Sequence, residues 1–113
     1  MTRGKVVLVR FPFDDLSAVK VRPAVCLCDP VGPHRHVVVA FLTSHIPPKP
    51  LDSDLVLGSG LADFSATGLH RSSTLCLHRL LTISVSLILR ELGEISPRMQ
   101  AEVDSRLRKL FHL

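Results

Sequence analysis

The chain has 113 residues, 46% of them hydrophobic, and a formal charge of +4 from 14 Lys and Arg against 10 Asp and Glu. That length predicts one domain over residues 1–113, and the apolar fraction excludes a disordered tail. No run approaches the roughly 18 uninterrupted apolar residues of a membrane helix, three cysteines make no disulfide framework, and the basic excess fits a polyanionic partner.

Lys5 to Phe11 concentrates β-branched and aromatic residues and predicts a first strand, which Pro12 ends. The amino terminus runs straight into this charged, alternating pattern, so no secretory signal is expected and the cytoplasm is the default location. Asp14, Asp15, Ser17 and Lys20 make Phe13 to Lys20 a polar loop, placed to fold over whatever Arg22 holds, with a plain hairpin connection as the equal alternative.

The organising stretch is Val-Lys-Val-Arg-Pro-Ala-Val-Cys-Leu-Cys-Asp at 19–29. Pro23 disfavours a helical conformation at Arg22, so the arginine should be extended as it leads into a second strand from Ala24 to Asp29. That strand is apolar on both faces and therefore central. A guanidinium held at its start offers permanent charge and a planar fork of donors suited to phosphate. The plain alternative is an exposed arginine at a strand start. Cys26, Cys28, His34 and His36 can be drawn as four zinc ligands, but the spacing lacks the cysteine knuckle of structural sites, and small buried cysteines are the commoner explanation.

Pro30, Gly32 and Pro33 mark a turn, and Val37 to Leu42 predicts a third strand, antiparallel to the second. It delivers Thr43, Ser44 and His45 to its end, with Thr43 and His45 on one face and Ser44 on the other. Residues 46–72, rich in Pro and Gly, predict loops around a short strand at Leu55 to Leu57. Ser73 to Thr82 predicts another strand, with Arg71 at its entrance and His78 within it, and a single turn comes next near Ser84 to Ser86. Leu87 to Ile95 fits either helix or strand, and the strand is favoured because Gly93 and the cap after it divide it from the final helix. Ser96 as cap and Pro97 at the first helical position begin that helix. Met99, Val103, Leu107, Leu110 and Phe111 form its apolar face, a lid on the sheet, with a basic outer face that solvent explains better than nucleic acid.

Val-Leu-Val-Arg-Phe-Pro-Phe, an acidic loop, Val-Arg-Pro-Ala-Val and Val-Ala-Phe-Leu-Thr-Ser succeed one another in this chain. Gly68-Leu69, Leu80-Leu81-Thr82-Ile83 and Leu92-Gly93-Glu94-Ile95-Ser96-Pro97 come downstream. In this order and spacing the sequence resembles the PemK/MazF family of toxin endoribonucleases. The resemblance implies a mainly β fold with a carboxyl-terminal helix, a small SH3-like β-barrel, as a homodimer neutralised by a cognate antitoxin. It also implies cleavage of single-stranded RNA, such as mRNA, without metal or cofactor, by attack of a ribose 2′-hydroxyl on the adjacent phosphate. Arg22 and Thr43 match the family's active-site positions.

From their chemistry, Arg22 should stabilise charge on the phosphate and Thr43 should orient it. His45 is the candidate proton carrier, since imidazole titrates near neutrality, with an exposed strand-end histidine as the alternative. Phe13, Lys20, Ser44 and Arg71 are candidate RNA contacts, and a surface ion pair is the alternative for Arg71. Members of the family often carry a glutamine near position 45, an arginine near Cys76 and an aspartate near His78, where this chain has His45, Cys76 and His78. Loss of the basic side chain at Cys76 bears on RNA binding, and His78 can equally be a core histidine. Two other functions stay open: a non-catalytic SH3-like module that retains antitoxin binding, and a topoisomerase-targeting toxin on the same type of barrel.

Overall fold

Six runs rich in β-branched and apolar residues form strands in the computed structural model, which describes residues 2–11 and 20–113. They are β1 (Lys5–Phe11), β2 (Lys20–Cys26), β3 (His36–Thr43), β4 (Asp54–Leu57), β5 (Ser73–Ser84) and β6 (Ile88–Glu94). All pair antiparallel in one sheet ordered β4-β5-β3-β2-β1-β6. The fold is mainly β with a carboxyl-terminal helix, α1 (Pro97–Phe111), as the sequence predicts. Among the described residues the sheet does not close, and β4 and β6 remain its edges.

Both faces of the sheet's centre are buried, where the second half of β2, Ala24 to Cys26, and most of β3 are continuous in apolar residues. One core joins Val6, Val25, Ala40 and Leu75 to Met99 and Val103 of α1. The other joins Val7, Val9, Ala24, Val39 and Ile88 on the opposite face. α1 is therefore the expected lid. Phe111, however, is 53% exposed, because it is the last helical residue and His112 comes after it in the left-handed conformation at φ 57°. No helix among the described residues is long and apolar enough to cross a membrane.

Two differences from the sequence-based strands shape the site. β2 begins at Lys20, so Arg22 and Pro23 lie within the strand and not ahead of it. β1 supplies the pairing that makes this possible, with Val9 opposite Arg22 and Leu8 opposite Pro23. β5 also carries a bulge: Ala40 pairs with Leu80 but Phe41 with Cys76, so Leu77, His78 and Arg79 loop out of the β3 ladder. Leu77 turns into the core, while His78 and Arg79 are exposed. His78 is thus a surface residue and not a core histidine, with its Nδ1 3.1 Å from Ser53 Oγ.

Candidate active site

The β2–β3 ladder runs from Cys26–Val39 to Ala24–Phe41 and stops there. Pro23 has no N–H with which to continue it. Continuing the register by two residues sets Arg22 opposite Thr43, so these side chains stand where the two strands part. Two clefts share this notch. The first, about 780 Å³, is lined by Arg22, Thr43, His45, Asp54, His78 and Arg79 among others. The second, about 610 Å³, is lined by Lys20, Arg22, Thr43, Ser44, Arg71 and Arg90 among others.

Thr43 is half-buried and fixed by its neighbours. The His45 backbone N–H donates to its Oγ1 at 3.2 Å, and the Thr74 hydroxyl donates to the His45 carbonyl at 2.9 Å. This compact turn uses Thr43 as an acceptor and leaves its own O–H hydrogen for another partner. Arg22 and His45 are exposed at the rim. The Ser73 hydroxyl donates to the Arg71 carbonyl at 3.0 Å, holding the backbone that presents Arg71.

The clefts differ in charge. The second carries Lys20, Arg22, Arg71 and Arg90, with no Asp or Glu among its described lining residues. It is suited to a chain of phosphates. The first sets Arg22 and Arg79 against Asp54, a residue 7% exposed whose carboxylate accepts from the Leu51 N–H at 2.9 Å. Beside Asp54, burial pushes the Cys76 thiol up, the Asp54 charge pushes it further and Arg79 opposes them. Burial likewise pushes Cys26 up to about 11. These thiols stay protonated at neutral pH and are poor nucleophiles.

Arg22, Thr43 and His45 thus meet at the first cleft, and Lys20, Ser44 and Arg71 join Arg22 and Thr43 at the second. Phe13 lies outside the described residues. Sequence reasoning missed Asp54, Arg79 and Arg90. Alternation in β6 could have found Arg90, but nothing local announces a bulge that carries Arg79 into the cleft. Among the described residues no three His, Cys, Asp or Glu side chains gather as a metal site, and Cys26, Cys28, His34 and His36 form no such group. Three of the helix cations are engaged elsewhere, Arg98 with Asp63, Arg106 with Glu102 and Lys109 with Asp52.

The described sheet and helix match solved structures over nearly the full chain. The Mycobacterium tuberculosis toxin MazF-mt6 is 21% identical at a TM-score of 0.73, with 96% of this chain and 97% of that one covered. An endoribonuclease from Mycobacterial species, in complex with its cognate antitoxin, is 18% identical at a TM-score of 0.71, with 100% and 96% covered. Such identities establish the fold alone. No curated protein matches the chain. The family profile described as PemK-like, MazF-like toxin of type II toxin-antitoxin system matches residues 2–111. With that match spanning both clefts and the helix behind them, the chain belongs to the PemK/MazF-like toxins of type II toxin-antitoxin systems.

Proposed function

We propose that this chain is an endoribonuclease that cuts single-stranded RNA, without a metal ion, at the notch between β2 and β3. The observation that carries the reading is the convergence of Arg22 and Thr43 at the point where the two strands part. The ribose 2′-oxygen attacks the adjacent phosphorus, a cyclic phosphate forms and the bond to the 5′-oxygen breaks. Charge builds on the phosphate oxygens as this happens, and the Arg22 guanidinium offsets it with a planar fork of donors. The Thr43 hydroxyl donates its remaining hydrogen to the same phosphate and fixes its orientation. His45, on the same rim, takes the 2′-hydroxyl proton, and the departing 5′-oxygen takes one up from solvent. Lys20, Ser44 and Arg71 hold the flanking strand in the basic cleft, and Phe13, outside the described residues, is the remaining proposed RNA contact.

Family membership supports the general kind of activity, and the relative solved with its cognate antitoxin supports an antitoxin as the natural partner here. We infer that a homodimer is the working unit on the same family grounds. The test is cleavage of a long, weakly structured RNA in EDTA by wild type, Arg22→Ala and Thr43→Ala, with both ends mapped. Discrete cuts bearing cyclic-phosphate ends, lost in both folded variants, support the reading. A folded wild type that cuts none of several RNAs overturns it in favour of a binding module.

A further inference from the structure

The first cleft contains a group that phosphate binding does not explain. Asp54 is a nearly buried carboxylate in a cleft whose rim is built for a polyanion. There it repels phosphate and, once ionised, can only accept hydrogen bonds. It closes the turn at Leu51 through one oxygen, which an asparagine carbonyl could do equally well.

Its position is set by the sheet. Ala24, Phe41, Cys76 and Asp54 form one row across β2, β3, β5 and β4, next to the row that holds Arg22 and Thr43 on the same face. Asp54 is therefore two strand spacings across and two residues along from Thr43 in the notch, roughly 12 Å over the sheet. A nucleotide whose phosphate sits in the notch can reach this distance with its base. The bulge in β5 brings Arg79 to the same cleft, so an acceptor and a planar donor fork both face the space a base would enter.

We propose that Asp54 and Arg79 form a guanine-reading subsite next to the scissile phosphate. Guanine presents two adjacent donors, N1–H and the N2 amino group, on the edge that meets Asp54. It presents two acceptors, O6 and N7, for the Arg79 fork, the arrangement arginine reads bidentately in nucleic acids. Uracil flanks its single N–H with carbonyls, which Asp54 repels. The half-buried Phe41 supplies an apolar wall for the base plane.

This inference rests on the RNA-cleaving reading of the same site, and the two can fail separately. Cut sites of wild type, Asp54→Asn and Arg79→Ala are mapped on a random-sequence RNA pool in EDTA. Wild type is expected to require guanine at one fixed position beside the cut. Asp54→Asn and Arg79→Ala should each lower that preference at least tenfold while still cutting. Cuts with no fixed guanine, or an unchanged preference in both folded variants, overturn the subsite and leave the nuclease standing. Should Asp54→Asn fail to fold, the exposed Arg79→Ala variant decides the matter alone. Should wild type cut nothing, affinities for guanosine and uridine 5′-monophosphate are compared by NMR titration. Their phosphates and sugars are shared, so a tenfold guanosine preference lost in Arg79→Ala supports the subsite, and equal affinities overturn it.

Discussion

Arg22 and Thr43 are presented by different strands, and neither is held by the other. Removing a donor that stabilises developing charge in an active site lowers kcat by about 10²–10³. Arg22→Ala is expected to fall in that range in single-turnover cleavage with no loss of thermal stability, because the side chain is exposed. Arg22→Lys should recover only part of the rate, since an ammonium is a point charge without the planar fork. His45→Gln separates proton transfer from hydrogen bonding: general acid–base catalysis contributes about 10²–10⁴, so a wild-type rate in this variant would remove His45 from the mechanism. Cys76, where members of the family often have an arginine, is buried beside Asp54, while Arg79 reaches the same cleft from the bulge. A basic side chain thus reaches this cleft from a different position.

At the scale of elements, two junctions hold the scaffold behind the clefts. The amino end of α1 has no acidic residue in its first turn, and the Ser96 hydroxyl accepts from the Met99 N–H at 3.1 Å. Asp63 supplies the missing negative charge from another loop, accepting from Arg98 through both oxygens at 3.0 Å and from Ser96. The Arg98 guanidinium, and after it the Ser96 hydroxyl, holds the Asp63 carboxyl down from the usual 3.8 to about 2. A depressed carboxyl contributes stability that is full above its unfolded value and lost as pH falls through its folded one. Asp63→Asn should therefore lower Tm most at neutral pH, and the gap from wild type should close as pH falls from 3.8 toward about 2. A gap that stays constant in melts across that range would show that the junction does not act through charge.

The second junction joins Gly68, at φ 73°, to Gly93. A Cβ on Gly68 would stand 2.0 Å from the Leu92 carbonyl oxygen, and one on Gly93 would stand 2.2 Å from that of Ala66. Gly93→Ala must push backbone from backbone, and overpacking of this kind costs about 1–3 kcal/mol. Urea unfolding should show that loss. RNA cleavage should fall as well, because the segment displaced leads through Leu69 to Arg71 in the basic cleft.

For the whole molecule, the proposed function has the basic cleft hold the RNA strand at a distance from the cut. Each phosphate neutralised on a single strand contributes about −0.7 to the slope of log affinity against log salt. Arg90→Ala should flatten that slope by roughly this amount in anisotropy titrations with a non-cleavable deoxyoligonucleotide, uniformly across sequences. An unchanged slope would place the strand elsewhere. Among the described residues β4 and β6 are the edges of the sheet, and the homodimer expected from the family should sediment as such at micromolar concentration; a monomer there would contradict it.

Much of this protein was legible locally, because strand propensity and capping act over a few residues. β1 matched its predicted limits, the end of β3 at Thr43 fell one residue from its predicted limit, and Ser96 and Pro97 open α1 as expected. The ordered motifs also carried family resemblance, and Gly68-Leu69 and Leu92-Gly93, far apart in the sequence, prove to be the two sides of one backbone contact. What the chain could not disclose depends on pairing between distant segments. The parting of β2 from β3, the bulge that turns His78 and Arg79 outward, and the burial of Asp54 beside Cys76 are properties of register, which is fixed only when both faces of the sheet find their cores.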